Sequence, residues 1–274
     1  MSIWEYQGHV KDKDLVEEGL YLADCLFCKT KLVELPNLVV IDNDDVDDIA
    51  SYTSKLKRGI ALGKRTDASM CPTCGWWKIS REVGDLIDEF VEYYGAVATL
   101  HDLDLIDLST PIEEVKQYLV AKYESRYDMH PRLFEETVAS VFRGLGYRAK
   151  VTAYSGDGGI DIILEGQDSN EIGVQVKRYR NSISVEQIRS LVGALMLERY
   201  TKGIFVTTSK FQSGASGVAK RAALRGIQIE LIDAEKFFDA LKIVQRKNYE
   251  KGPDLFAQVI HTSLMLLERI GTPR

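Results

Sequence analysis

The sequence predicts a two-part α/β chain. Its C-terminal half is a mixed central sheet flanked by helices, and its N-terminal part is a small α+β module organised by four cysteines. Three observations carry this. From residue 133 the hydrophobic pattern switches between helical and strand periods in the order αβββαβαβα. All four cysteines fall in the first 80 residues, as two C-x2-C pairs. The charge is divided as well: residues 1–130 hold 14 Lys/Arg against 25 Asp/Glu, whereas residues 131–247 hold 18 against 13, within a net charge of -6. Only the basic half is drawn to a phosphate backbone.

At 274 residues the chain has the length for one or two domains with a full core. No run of about 18 apolar residues appears, so no membrane span is expected. The opening MSIWEYQGHVKDKDL lacks the apolar stretch of a secretory signal. A cytoplasmic protein is expected.

In chain order, Cys25-Leu-Phe-Cys28 and Cys71-Pro-Thr-Cys74 come first. Each knuckle offers two thiolates from a tight turn, and Gly75 gives the second turn an unhindered backbone. Together they make a closed, structural zinc site, although the gap between pairs is longer than in the commonest zinc ribbons. A reducing cytosol disfavours two disulfides as the alternative. The acidic run Asp42–Asp48 lacks the glycine and distal glutamate of a calcium loop and reads as a solvated loop or a helix N-terminus. Trp76 and Trp77 read as a small core around the metal.

From Arg81 to about Leu100, Val83, Leu86, Ile87, Phe90, Val91 and Tyr94 recur at helical spacing and predict a helix. His101 follows as an exposed loop residue. Thr110-Pro111-Ile112-Glu113 reads as a capping box with proline at the first helical position, opening a helix to about Glu124. Arg126–Arg132 is a connector. The expected divisions are 1–104 for the zinc module, 105–247 for the α/β domain and 248–274 for a helical tail, with its helix at about Leu255–Ile270.

The α/β domain opens with a helix from Leu133 to about Leu145, stopped by Gly146, with Phe134, Val138, Val141 and Leu145 on its apolar line. Glu135 shares a face with Val138, Ala139 and Phe142, so it turns toward the sheet; Glu136 shares one with Ser140 and Arg143, so it turns toward solvent. Next comes GDGGIDIILEGQDSNEIGVQVK, residues 156–177, which reads as two strands joined by a polar turn. Asp161 lies on the first strand, and Gln175 and Lys177 share one face of the second. A hairpin would gather a carboxylate, an amide and an ammonium on an apolar sheet, where they are costly unless they pair or hold a metal. Asp161 is the hard oxygen ligand magnesium prefers, the Val176 carbonyl a natural second ligand, Gln175 a neutral amide oxygen, and Lys177 the cation. Helices at about Val185–Arg199, Gly214–Arg225 and Ala234–Leu241 alternate with strands Gly203–Thr208 and Ile227–Ile232. Arg178, Arg180, Lys210, Lys220, Arg221 and Arg225 are candidates for phosphate contacts, with Ser209 and Lys210 at the rim of the site.

The stretches HPRLFEETVASVFRGLGY, GDGGIDIIL, VQVKRY and KGIFVTTSKF, within about Pro131–Asp233, resemble the catalytic domain of the Mrr family of restriction endonucleases, in the PD-(D/E)xK nuclease fold. The resemblance covers a little over a third of the chain. Its FE dipeptide, GDGGID aspartate and Q-x-K fall on Glu135, Asp161 and Gln175 with Lys177. It implies a restriction-endonuclease-like fold and cleavage of double-stranded DNA with Mg2+ (or Mn2+), in restriction or anti-phage defence. Most of the fold has glutamate where Gln175 stands, which leaves the site a carboxylate poorer unless Glu135 supplies one. The expectation is a metal-dependent DNA endonuclease with a structural Zn2+ module for recognition or regulation. A homodimer and a regulatory protein partner are both compatible with it. Beside it stand a catalytically silent nuclease-fold DNA-binding module and a nuclease effector active only with a partner.

Overall fold

The computed structural model describes residues 3–5, 22–35, 40–42, 63–85, 90–153, 158–166 and 170–251. The chain divides into two compact units, the second of which is Leu103–Lys247. The expected acidic loop and the expected tail helix lie, apart from Asp42, outside the described residues.

In the first unit, β1 (Trp4–Glu5) pairs antiparallel with β7 (Thr99–Leu100). A second antiparallel sheet is built from β2 (Val33–Glu34), β4 (Gly63–Met70), β5 (Trp77–Asp85) and β6 (Phe90–Val97), with β3 (Val40–Asp42) also on β4. The helix expected over Arg81–Leu100 is not there. β5 and β6 form a hairpin whose register runs from Lys78↔Val97 to Asp85↔Phe90. The apolar spacing matched a helix only by running together residues of two paired strands. Within each half the composition is β-branched and aromatic, and Gly84 and Gly95 each weaken a helix by about 1 kcal/mol.

The second unit opens with α1 (Ile112–Ala121), which ends three residues before the expected Glu124 and passes into a 3-10 turn, Tyr123–Tyr127. The expected capping box does not form. Thr110 Oγ1 donates to the Asp104 carbonyl at 2.8 Å, and Glu113 pairs with Lys116 at 2.7 Å. The hydroxyl is captured by the preceding loop before it can cap. α2 (Pro131–Gly144) starts two residues earlier than expected, because Pro131 occupies the first turn and His130 Nδ1 caps the Arg132 N–H. Gly146, at φ +101°, ends this region as expected.

Five strands follow in the spatial order β12-β11-β10-β9-β8: β8 (Arg148–Val151), β9 (Ile162–Glu165), β10 (Glu171–Lys177), β11 (Lys202–Thr207) and β12 (Gln228–Ile232). β8, β9 and β10 are antiparallel, whereas β10, β11 and β12 are parallel. The parallel crossovers are α3 (Val185–Leu197), capped by a Ser184–Gln187 box, and α4 (Ala215–Ala223). α5 (Ala234–Lys251) runs ten residues past its expected end at Leu241, its Leu241 and Val244 fully buried. α3 and α4 cover one face through Ile188, Leu191, Leu195 and Val218 around Phe205. On the other face α2 and α5 pack together, with Phe134 and Phe237 edge to face at 5.4 Å. This is the mixed sheet between helical layers that the sequence predicts. No helix among the described residues is long and apolar enough to cross a membrane.

Candidate active site

The site forms where β9 and β10 part. Their last ladder pair is Ile162↔Val174, and Asp161, expected on the strand, lies one residue before it. The Asp161 N–H still donates to the Val174 carbonyl at 2.8 Å, so its position is fixed as if in the ladder. The chain then turns away through Gly158 and Gly159, at φ +58° and +90°, a region that favours glycine. A Cβ on Gly159 would also stand 3.4 Å from Gln175 Nε2. The positive φ, more than the space, is what calls for glycine beside Gln175.

Asp161 is 7% exposed. Its Oδ2 accepts the Val176 N–H at 2.6 Å, taking the place of a ladder carbonyl. In a strand facing an antiparallel neighbour, a residue's N–H and C=O turn to the same side. The Val176 carbonyl thus shares an edge with the Asp161 carboxylate. Gln175 is also 7% exposed, and its Oε1 has no hydrogen-bond partner among the described residues. Burying an unsatisfied amide oxygen costs roughly 1–3 kcal/mol. Such an oxygen, beside a carboxylate and a carbonyl, fits a hard divalent cation.

Glu135 approaches from α2. Its side chain is 19% exposed against 35% for Glu136, and it is held by Arg132, whose Nη1 donates to Oε2 at 3.1 Å. Burial raises the Glu135 carboxyl above its ordinary range, and the Asp161 charge raises it further; Arg132 and Lys177 pull the other way. Glu135, Asp161 and Lys177 are therefore electrostatic neighbours. The structure brings all four sequence-selected residues to one end of β10, with Lys177 as its last residue.

The sequence reading missed Arg132, which it placed in a connector. Besides Glu135, its Nη1 donates to the Thr152 carbonyl at 2.8 Å, and its Nη2 stands 3.3 Å from Glu136. Thr152 in turn donates twice to Asp161: its N–H and its Oγ1 both reach the Asp161 carbonyl at 3.0 Å. Arg132 so ties Glu135 to the backbone that carries Asp161. The spacing R-x-x-E-E, an i,i+3 and i,i+4 pair, was the available signal.

Of the candidate phosphate contacts, Arg178 turns inward, its Nη1 donating to the Tyr127 carbonyl. Arg180 pairs with Asp128 at 2.6 Å. Ser209 is buried, its Oγ donating to the Arg180 carbonyl at 3.2 Å, while Lys210, Lys220, Arg221 and Arg225 are exposed.

The first unit holds its own cluster. The four cysteine sulfurs lie within 4.8 Å of one another, with Cys25–Cys74 at 3.5 Å, Cys28–Cys71 at 3.4 Å and Cys28–Cys74 at 3.7 Å. A tetrahedron with metal–sulfur bonds of about 2.3 Å has edges of about 3.8 Å, so the group fits a zinc-sized ion. None of the four is in a disulfide. The thiols share protons: hydrogen bonds from Cys25 and its neighbours hold Cys28 well down and bring Cys71 to about 7. Cys25 is pushed up by its bond to Cys28, and Cys74 by burial. Trp4 Nε1 donates to the Cys74 carbonyl at 2.6 Å, and Trp76 and Trp77 are buried beside the second knuckle. His101 is exposed, 3.3 Å from Glu5.

Residues 126–241 match a family model, the Mrr catalytic domain, described as a restriction endonuclease. Among curated proteins, the type IV methyl-directed restriction enzyme EcoKMrr of Escherichia coli (strain K12) is 32% identical over 120 residues, which is 41% of this chain and 38% of that enzyme. An uncharacterized protein of Sinorhizobium fredii, y4cE, is 33% identical over 103 residues, 35% of this chain and 26% of that one. The chain therefore spans well under half the length of either relative. Among solved structures, the DNA modification-dependent restriction endonuclease AspBHI matches with a TM-score of 0.38 at 22% identity, covering 56% of this chain and 44% of its own. The MspJI restriction endonuclease in complex with a 27-mer oligonucleotide matches at 0.37 and 22%, covering 61% and 40%. Likeness at that level adds nothing to the sequence match.

Proposed function

We propose, from the match of residues 126–241 to the restriction endonuclease family model of Mrr catalytic domains, that the protein is a metal-dependent endonuclease that hydrolyses phosphodiester bonds of double-stranded DNA in restriction or antiviral defence. One observation carries the reading. Within the family-matched segment, Asp161, Gln175, the Val176 carbonyl, Glu135 and Lys177 meet at one end of β10, with the Gln175 oxygen buried and unsatisfied.

In this reading Asp161, Gln175 Oε1 and the Val176 carbonyl hold Mg2+ or Mn2+. The ion supplies charge neutralisation at the scissile phosphate and lowers the pKa of a bound water. Asp161 is oriented for this by the Val176 N–H. Lys177 orients the attacking water or meets developing negative charge, a role that needs a fixed cation in a partly enclosed site. Glu135 acts through water as a further acceptor, held in place by Arg132. The four cysteines hold Zn2+ in a structural module, residues 1–104, followed along the chain by the nuclease domain, residues 105–247, and a tail, residues 248–274. The whole operates in the cytoplasm.

Purified protein incubated with plasmid and magnesium, with and without EDTA, tests the reading. Methylated and unmethylated plasmid should both be tried, since a relative is named as methyl-directed. Cleavage that EDTA abolishes and Asp161→Ala abolishes supports it. DNA binding without cleavage on either plasmid favours the silent-module alternative.

A further inference from the structure

We propose that the pocket at the carboxyl ends of β10, β11 and β12 is a seat for a backbone phosphate of the DNA strand entering the site, gripped by Arg180 and Lys210; this rests on the nuclease reading above. The pocket has a volume of about 540 Å³, and Tyr127, Arg180, Ser182, Ser209, Lys210 and Glu235 are among its lining residues. β10 and β11 are parallel, so the loops after them leave the sheet on the same edge. That edge is also where Lys177 ends β10. Arg180 follows Lys177 by three residues.

The two loops are stapled together by buried hydroxyls. Thr208 Oγ1 accepts the Tyr179 N–H at 3.0 Å and donates to the Tyr179 carbonyl at 2.9 Å. Ser209 Oγ reaches the Arg180 carbonyl, and the Ile183 N–H donates to the Lys210 carbonyl at 2.8 Å. Thr208 and Ser209 are almost wholly buried, whereas Arg180 and Lys210 are exposed. Two exposed cations thus stand on backbone that cannot drift, which lowers the ordering cost of gripping an anion.

Arg180 is also the outer end of a column of stacked side chains. Its guanidinium lies 4.9 Å from the Tyr127 ring; Arg126 lies 4.0 Å from that ring and 3.7 Å from Tyr123, which meets Phe238 edge-on at 4.4 Å. Arg126 is buried and engaged, with Nε on the Thr208 carbonyl at 3.1 Å and Nη1 on Glu124 at 2.9 Å. Arg180 instead pairs with Asp128, both about two-thirds exposed at 66% and 65%. A pair so exposed is worth about 0–1 kcal/mol, so a phosphate displaces it readily. Asp128 is then the carboxylate that competes with a phosphate for Arg180.

The acidic groups nearby set the polarity. Asp233 Oδ1 accepts the Lys236 N–H at 3.0 Å at the start of α5, and Glu235 stands in the first turn of that helix. Both follow β12, two strands from β10 at about 4.8 Å per strand. The cationic side of the pocket is the side next to Lys177, and a strand leading to the site crosses there.

The test compares wild type with Arg180→Ala, Lys210→Ala and Asp128→Asn, all as the full chain. Binding to a short duplex is measured in EDTA over a range of salt. Arg180→Ala and Lys210→Ala should each weaken binding severalfold and make the log–log salt dependence shallower by about 0.9, the loss of one phosphate contact. Asp128→Asn should tighten binding, because a competing carboxylate is gone. Unchanged salt slopes in both cation variants overturn the seat. So does weaker binding by Asp128→Asn, which makes the pair a brace alone. A deoxynucleoside monophosphate is titrated in parallel; if both cation variants lose it while duplex slopes stay unchanged, the pocket serves free nucleotide and the proposal fails. Wild type that neither binds nor cuts duplex sinks the nuclease reading itself, a result distinct from the others.

Discussion

The chain carries two clusters of candidate metal donors built on opposite plans. The four-cysteine cluster is closed: every donor faces another donor, the sulfurs lie at metal-ready spacing, and tryptophans seal it. The cluster at the end of β10 is open. Its donors are a carboxylate, an amide and a carbonyl, one buried oxygen is left without a partner, and a glutamate is held at the edge with its carboxyl raised by burial. A closed set of soft donors puts the metal's binding energy into folding, whereas an open set of hard donors leaves coordination positions for substrate and water. The same chain therefore tolerates polar burial for two reasons, and loss of the metal should have different consequences at the two places.

The largest effect is expected at the closed cluster. The full chain should contain about one zinc, by the four-ligand rule. Cys71→Ser should lower that content and melt the described structure around residues 22–35 and 63–85, because small structural zinc sites are unfolded without metal. Hydrogen exchange should show protection lost there while β10 and β11 keep theirs. Protection lost equally in β10 and β11 would erase the distinction between the units.

At the open cluster, function should fall while folding holds. Asp161→Ala and Lys177→Ala should each lower cleavage by at least about 10²–10³-fold, the range for removing one preorganised group that meets developing charge. Their melting temperatures should stay close to wild type. Asp161→Ala that cuts as well as wild type places the site elsewhere.

Much of the open cluster was legible because its residues obey local rules. Gln175 and Lys177 are two apart on a strand, and the glycines before Asp161 announce a turn with positive φ. The alternation of α3, β11, α4 and β12 was legible for the same reason. What escaped was decided at a distance. Arg126 bonds to Thr208, 82 residues away, and nothing in the local pattern of either shows it. Thr110 has the sequence of a cap, but its hydroxyl goes to Asp104. In β5 and β6, apolar residues at helical spacing lay on two different strands. Periodicity alone does not separate two strands when no glycine or proline falls between them, and the sequence from 86 to 89 carries neither.

The two glutamates of α2 sharpen the comparison within the open cluster. Both touch Arg132, yet Glu135 is the more enclosed and the one that feels Asp161 and Lys177. Glu135→Ala should cost about 10-fold or more in cleavage rate, and Glu136→Ala less than about 3-fold, as expected for a group that acts through water against an ion-pair partner at the rim. A larger loss for Glu136→Ala would show that the working face of α2 is the other one. Arg132→Ala should resemble Glu135→Ala and be partly rescued by Arg132→Lys, which keeps the charge but not the fork.

The smallest effect concerns pH, and it distinguishes an open site from a merely polar one. In the folded protein the Glu135 carboxyl is raised above its ordinary range, chiefly by burial and then by Asp161. A carboxyl raised on folding favours the folded state while it is protonated. That contribution is fully present below the unfolded value of about 4.3, and it is lost as pH rises through the higher folded value. At neutral pH the ionised Glu135 is therefore a small liability in metal-free protein. Glu135→Gln keeps an acceptor for Arg132 and removes the charge, so in EDTA it should melt no more than about 2–4 °C above wild type at pH 7, the shift that ~1 kcal/mol gives a domain of this size. Below about pH 4 the two proteins should melt together. Thermal melts across that range, repeated for Glu136→Gln, decide the matter. An advantage for Glu135→Gln that persists at low pH would mean that packing and not charge is responsible. Equal gains from both substitutions would mean that the site does not single out Glu135.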